Sequence, residues 1–343
     1  MVSSQKHVSE TDPPVPLFVG IDVGGTSIKI GLVTDDGHPL GCHSIPTHIE
    51  TPAEDAAQRM GAALRSVLEE WAPPAGQVVR VGLATPGPID TENGLLVQPG
   101  NLPNWWGFPI RQRVSHHCGL PVTFANDANA AAYGEYWQGA GRKYRSMVLL
   151  TLGTGIGGGI IIDHKIIEGS HGCGSECGHV LIDLREDARR DSLGKSGSLE
   201  AHCSAYAVTT RTEEALAAGQ ESSLQGHEGR ISPLVVAQEA EQGDRLARQI
   251  ILETARYLGI GIVSLIHTID PDGVILGGAM TFGGAGHPLG EEFLAEVRAE
   301  ARRRIFRTLR DKMEIEFAAL GGDAGFIGAA GLARLEHQRL SDG

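Results

Sequence analysis

Leu17-Phe18-Val19-Gly20-Ile21-Asp22-Val23-Gly24-Gly25-Thr26-Ser27-Ile28-Lys29-Ile30-Gly31-Leu32-Val33 is the stretch from which the rest of the chain is read. The apolar run Leu17 to Ile21 predicts a buried strand, Asp22 to Thr26 a tight turn, and Ile28 to Val33 a returning strand. Asp36-Gly37 offers the next hairpin turn. Glycines in such a turn leave backbone N–H groups with no Cβ to shield them, which suits an anion. Thr26 adds a hydroxyl donor, Lys29 a nearby positive charge, and Asp22 a carboxylate able to hold a divalent cation, here Mg2+, through water.

Working outward, Ala53 to Trp71 has helical apolar spacing and stops before Pro73-Pro74. Val78 to Ala84 reads as a strand closed by Thr85-Pro86-Gly87-Pro88, Ile110 to Cys118 as a helix, Pro121 to Ala125 as a strand and Asp127 to Gln138 as an Ala-rich helix. A second strand–turn–strand unit follows, Ser146 to Leu152, a loop from Gly153 to Gly159, and Ile160 to Asp163. Helices are then expected at 199–217, 234–242, 244–268, 291–304 and 325–337, with strands at 273–276 and 315–319. Two halves that each open on a glycine-turned hairpin point to an internal duplication and to α/β layers with a cleft between two lobes.

Composition narrows the class. Of 343 residues 47 are glycine, about twice the ~7% of ordinary proteins, yet no Gly-X-Y period is present and 41% of the chain is apolar. Collagen and general disorder are thereby excluded. A formal charge of −13 disfavours nucleic acid as the main partner. The basic run Arg302 to Arg304 with Arg307 and Arg310, set among Glu292, Glu296 and Glu300, reads as a solvated helix face. Five cysteines, an odd number, argue against a disulfide framework. The polar first sixteen residues form a loose tail without the apolar segment of a signal peptide, and Leu258 to Ile269 is too short to span a bilayer. A cytoplasmic protein with no membrane partner is expected.

Two nucleotide motifs fail on context. Gly153-x-Gly155-x-x-Gly158 matches a dinucleotide fingerprint in letters, but an apolar strand rather than a helix follows it. Gly194-Lys195-Ser196 ends like a phosphate-binding loop, but Arg189 occupies the required first glycine position and no strand precedes it. A third arrangement fits better: three glycine turns, each after an apolar strand, at Gly24-Gly25, Gly153 to Gly157 (with Thr154 and Gly155) and Gly277-Gly278, the last suited to a flat purine. Any one of them alone is an ordinary structural turn.

The order Asp-x-Gly-Gly-Thr-x-x-Lys, Thr-Pro-Gly-Pro, Asn-Leu-Pro-Asn-Trp, Ala-Asn-Asp-Ala-Asn-Ala, Leu-Gly-Thr-Gly-Ile-Gly-Gly-Gly, Gly-Ser-Glu-Cys-Gly-His and Asp-Pro-Asp-x-Val-Ile-Leu-Gly-Gly resembles the ROK family of sugar kinases and sugar-responsive repressors, from about residue 17 to 335. The resemblance implies a two-lobed actin-like ATPase (RNase-H-like) α/β fold with a central cleft, ATP and sugar between the lobes, and a closing C-terminal helix. The expected division is a tail at 1–16, a small lobe at 17–125 plus 325–343, and a large lobe at 126–324. Asp127, whose position also suits a plain helix cap, matches the catalytic carboxylate. Asn101, Asn126, Asp127, Glu176, His179 and Glu200 match the hexose contacts, and Gly87 approaches the sugar through its backbone. Asp22, Gly24, Gly25, Thr26, Lys29, Thr154, Gly155, Gly277 and Gly278 fall to the nucleotide.

One departure stands out. Many relatives carry Cys-x-Cys-Gly-x-x-Gly-Cys-x-Glu, whose thiolates join the His of Glu-x-x-His around structural zinc. Here those cysteine positions hold Asp191, Leu193 and Ser198, so no zinc is expected. A relocated set, His171, Cys173, Cys177 and His179, is explained instead by cysteines buried as small apolar residues. The expected activity is phosphorylation of the 6-hydroxyl of glucose by ATP with Mg2+. Kinases for N-acetylmannosamine, N-acetylglucosamine, fructose or allose share the motifs; polyphosphate as donor would call for a basic channel, and the sequence has no concentrated one. A catalytically dead sugar-binding member is disfavoured by Asp127 with an intact phosphate hairpin. A DNA-binding repressor is not expected, with 21 residues ahead of Asp22 and an acidic chain. A homodimer is the expected assembly.

Overall fold

The structure is a computed structural model that describes residues 15–97, 99 and 102–342. Of the expected tail, residues 1–14 lie outside the described residues. Strand β1 (Leu17–Val23) turns into β2 (Ser27–Thr34), and β3 (Pro39–Pro46) follows through the Asp36-Gly37 turn. Helix α1 (Ala53–Trp71) leads to β4 (Val78–Thr85), a small hairpin of β5 (Ile89–Asp90) and β6 (Leu95–Leu96), then α2 (Ile110–Cys118), β7 (Val122–Asn126) and α3 (Asp127–Gln138). The first sheet has the order β3-β2-β1-β4-β7, antiparallel on its hairpin side and parallel from β1 to β7.

The second half repeats this plan. Strands β8 (Met147–Leu152), β9 (Ile156–Ile162) and β10 (Lys165–Ile166) are followed by α4 (Leu199–Cys203), α5 (Ala205–Ala217), α6 (Pro233–Glu241) and α7 (Arg245–Ile269). Then come β11 (Gly273–Gly277), α8 (Pro288–Arg304), β12 (Glu314–Phe317) and α9 (Ala324–Ser341). The order is β10-β9-β8-β11-β12 with the same pattern of antiparallel and parallel pairs. The likeness of the halves therefore extends from their hairpins to the whole topology.

Each sheet has its own core. Val19, Ile21, Ile28, Ile30, Met60 and Leu64 fill the first, and Leu150, Ile251, Leu258, Ile262, Leu276 and Phe293 the second. Helix α7 is long and apolar enough by composition to cross a bilayer, but its apolar side is spent on that second core. The two halves meet where α9 returns to lie on β1 and β4 and crosses α3. Gly20 and Gly82 are register partners in β1 and β4, and a Cβ on either would collide with the α9 backbone at Phe326 or Ala329. Gly328 meets the carbonyl of Ala130 in the same way at the α3–α9 crossing.

Three expectations are corrected. The second glycine loop ends early, because β9 starts at Ile156 and Gly157 to Gly159 lie inside the strand. A Cβ on Gly158 would strike Cys177 and one on Gly159 would strike Ala132 of α3, so these glycines serve packing rather than a ligand. The helix expected at 199–217 breaks at Ser204, whose hydroxyl accepts from Ala207 N at 3.2 Å and starts α5. The charged face of α8 is also more than solvated. Arg256 pairs with Glu296 at 2.6 Å and Arg248 with Glu292, tying α7 to α8, while Glu300 is buried beneath Arg303 and Arg304.

Candidate active site

Because β1, β4 and β7 are parallel, their C-terminal ends open onto one rim. Asp22 is in register with Ala84, and Thr85 with Asn126. That rim faces the cleft, the place where open α/β sheets bind ligands. Lys29 lies opposite Asp22 on β2, and its Nζ donates to Gly322 O at 2.6 Å and pairs with Asp323 Oδ1 at 2.9 Å. The lysine thus ties the first hairpin to the start of α9, where Gly325 lies so near the Asp22 carboxylate that no Cβ would fit.

The helix cap falls to Asn126, not to Asp127. Its Oδ1 accepts from Ala128 N at 2.9 Å and Asn129 N at 3.1 Å, and its Nδ2 donates to Gly87 O at 3.2 Å. Asp127 Oδ1 accepts a short-range bond from Ala128 N at 2.8 Å. Burial, and then the charge of Glu176, raise its carboxyl to about 6 against the pull of that N–H. Asp22 is raised further, to about 7, by burial and by repulsion from Asp127, more than Lys29 offsets. Two half-buried carboxylates with a net deficit of positive charge line this side of the cleft.

Across the cleft, a single 3-10 turn packed on β9 begins after Glu176 and ends on His179. Glu176 Oε2 stands 4.0 Å from His179 Nε2, while His179 Nδ1 is 3.1 Å from Asp191 Oδ2. Burial raises the Glu176 carboxyl, with His179 opposing it and Glu200 adding to it. Glu200 opens α4 and is buried; its Oε2 accepts from Ile156 N at 3.0 Å and its Oε1 from Ser192 Oγ at 2.6 Å. It therefore joins the 153–155 turn to the loop that begins at Asp191. In that turn Gly153 has open space where a side chain would stand, Gly155 is covered by Glu200, and Thr154 is exposed. Thr26 and Gly25 are exposed at the first hairpin, where Gly24 N donates to Ser27 O at 2.9 Å. Gly277 ends β11, and Gly278, at φ +89°, packs on the backbone of Leu152 just before the Gly153 turn. Asn101 lies outside the described residues.

A ROK family sequence model matches residues 18–336. The chain belongs to the ROK family. It is 30% identical over 329 residues to a glucokinase of Halalkalibacterium halodurans, covering 95% of this chain and 97% of that protein. A ROK hexokinase from Thermus thermophilus superimposes with a TM-score of 0.79 at 31% identity, over 95% of this chain and 100% of that one. A ROK glucokinase from Streptomyces griseus, solved with glucose and AMPPNP, gives 0.77 at 33% identity over 93% and 99%. The architecture is accordingly the two-lobed actin-like ATPase fold of the ROK sugar kinases.

The chain departs from the zinc motif that the resemblance implies. Leu193 has no donor atom, and both oxygens of Asp191 accept bonds from protein groups: Leu193 N at 3.0 Å, Lys195 N at 2.9 Å, Ser198 Oγ at 2.9 Å and His179. Burial works against ionisation of Asp191, but these donors hold its carboxyl below the ordinary value. This donor set does not fit zinc. Among the described residues no group of three or more His, Cys, Asp or Glu side chains is placed to hold a metal. The relocated set divides: Cys177 is buried under Gly158, with burial pushing its thiol up to about 12, but Cys173 is exposed. Burial therefore accounts for Cys177 and not for Cys173. For Mg2+ the fit is good in charge, since Asp22 and Asp127 carry repulsion that a cation would relieve.

The part played by two organising side chains escapes a reading of the sequence alone. One is Asp191, which carries a turn signal (Asp followed at three residues by glycine) but no sign of what it gathers. The other is Glu135, fully buried in α3. Its oxygens accept from Ala140 N at 2.9 Å, Ala319 N at 3.0 Å and Leu320 N at 2.7 Å, pinning the link from β12 to the residues that bind Lys29.

Proposed function

We propose that this chain is an ATP-dependent hexokinase of glucokinase type that phosphorylates the 6-hydroxyl of glucose. The observation that carries the reading is Asp127: freed from capping by Asn126, held at the cleft rim, and raised to about 6. A base poised near neutral pH takes a proton more readily than an ordinary carboxylate does. Asp127 accepts the proton of the 6-hydroxyl as that oxygen attacks the γ-phosphorus. The new O–P bond forms as the bond to the β-phosphate bridging oxygen breaks, and ADP leaves. Asp22 would hold Mg2+ through water, and the cation would neutralise charge on the phosphates. Glu176 accepts hydrogen bonds, and with His179 Nε2 turned to the same side the pair suits two sugar hydroxyls. Gly87, Asn126 and Glu200 complete the sugar side with Asn101; Gly24, Gly25, Thr26, Lys29, Thr154, Gly155, Gly277 and Gly278 serve the nucleotide.

Glucose and AMPPNP together in the 33%-identical Streptomyces griseus glucokinase support the choice of both substrates. The lobes 17–125 with 325–343 and 126–324 close around the sugar, excluding water that would otherwise hydrolyse ATP. ADP release measured for glucose, fructose, allose, N-acetylglucosamine and N-acetylmannosamine, each with ATP, GTP or polyphosphate, tests the assignment. Glucose with ATP should have the highest kcat/KM. Another sugar ahead of glucose would replace the substrate, and turnover retained by a folded Asp127→Ala variant would remove the mechanism. A homodimer is the assembly we assign, read by light scattering as twice the 36.3 kDa chain.

A further inference from the structure

The loop from Asp191 to Ser198 is gathered by hydrogen bonds onto one buried side chain. Four positions surround zinc in many ROK relatives, and here they are His179, Asp191, Leu193 and Ser198. Two of the others meet Asp191: its Oδ2 accepts from Ser198 Oγ at 2.9 Å and stands 3.1 Å from His179 Nδ1. The fourth, Leu193, contributes its backbone N–H to Asp191 Oδ1 at 3.0 Å, beside Lys195 N at 2.9 Å. The Asp191 side chain is 0% exposed. A buried carboxylate is costly unless its lone pairs are filled, and here four donors fill them. The loop backbone is arranged to suit: Asp191 N donates to Lys195 O at 2.9 Å and Leu199 N to Val180 O at 2.8 Å. Gly197, at φ +78°, sits where a Cβ would strike Asp183 O.

We propose that the Asp191 carboxylate replaces structural zinc as the hub of this loop and, as a positioning residue, fixes the ring of His179 for sugar binding. An ionised carboxylate can only accept, so His179 Nδ1 must donate to it. In the neutral imidazole that leaves Nε2 as an acceptor, 4.0 Å from the Glu176 carboxylate. Zinc in the same place would bind one ring nitrogen and direct the other outward; Asp191 achieves the same orientation through a proton. Ser198 serves twice, bonding Asp191 and accepting from Ala201 N at 3.2 Å as the cap of α4. The hub thus also sets the start of the helix that carries Glu200.

The consequence for the sugar rests on the kinase reading, so the first two readouts, metal content and tautomer, do not need turnover, and only the third does. Metal analysis of protein purified from zinc-supplemented cells should find far less than one zinc per chain, and stoichiometric zinc would overturn the proposal. Nitrogen-15 NMR of histidine-labelled protein, with the His179 signal identified by its absence in His179→Gln, should show the Nδ1–H tautomer. An Nε2–H tautomer in the wild type would equally overturn it. Asp191→Asn keeps the size of the side chain and can offer an N–H where a lone pair was. It should lose the single-tautomer signature, and raise the sugar KM about tenfold with the ATP KM unchanged. A variant that keeps both the tautomer and the sugar KM would sink the positioning role. If Asp191→Asn does not fold, the two wild-type measurements still decide. Absence of turnover with every sugar of the panel, with the tautomer and metal results as expected, would fail the kinase reading and leave this one standing.

Discussion

Replacing Asp127 by Asn should cost the enzyme its activity and make the ligand-free protein more stable, and the size of that gain can be worked from the site. The carboxyl is raised from 3.8 to about 6. At about 1.4 kcal/mol per unit, that shift corresponds to about 3 kcal/mol of unfavourable ionisation in the folded state. The sign follows from proton binding. Between the two values the native state holds the proton that the unfolded chain has released, so stability falls as pH rises through this window. Below 3.8 the carboxyl is neutral in both states and the amide gains nothing. Above 6 the full penalty, which includes the repulsion from Glu176, is present, and the neutral Asn removes it. Urea unfolding of both proteins at pH 4 and pH 8 should therefore show little difference at the lower pH and a gain of up to about 3 kcal/mol for Asp127→Asn at the higher. Its kcat should drop by about 10²–10⁴, the usual worth of a positioned base. A variant less stable than wild type at pH 8, or a stability difference indifferent to pH, would refute the claim that Asp127 is held strained in its charged form.

Other expectations follow from the same geometry. Glu135→Ala strands three N–H groups at Ala140, Ala319 and Leu320 and should destabilise by about 3 kcal/mol or more; calorimetry would measure the loss, and Glu135→Gln should recover part of it. Gly328→Ala places a methyl against Ala130 O and should cost about 1–3 kcal/mol by forcing α3 and α9 apart, while Ala329→Gly beside it, which removes a methyl instead, should show no such overpacking in the separation of the two helices by crystallography. The pH profile of kcat/KM should fall about tenfold from pH 7 to pH 5 with a carboxyl at about 6, whereas a base at the ordinary 3.8 would leave it nearly flat. Removal of Mg2+ by chelation should abolish ADP release and leave the circular dichroism spectrum unchanged, and readdition should restore it.

Much of this molecule is written locally. The strand–Gly-Gly-Thr–strand unit, α1 from Ala53 to Trp71, α2 from Ile110 to Cys118 and α3 from Asp127 to Gln138 are legible because apolar period, turn glycines and flanking prolines act within a few residues. The order of the motifs along the chain was enough to identify the family and to nominate Asp127. The glycine excess was legible as a need for bare backbone, but its purpose was not. Gly157 to Gly159 looked like a loop for phosphate and are a strand kept clear for α3 and Cys177. Gly20, Gly82 and Gly328 let α9 press on the first sheet and on α3, contacts between residues up to about three hundred positions apart that no local pattern encodes. The same distance in sequence hid the assignments of charge. Asp22 and Asp127 repel because β4 brings the C-terminal ends of β1 and β7 onto one rim, and Lys29 is held by Asp323 because α9 returns to the first lobe. Sequence alone could show that Asp191, Leu193 and Ser198 cannot bind zinc as three cysteines would. Only the folded loop, by closing four donors around one buried carboxylate, decided what stands there instead.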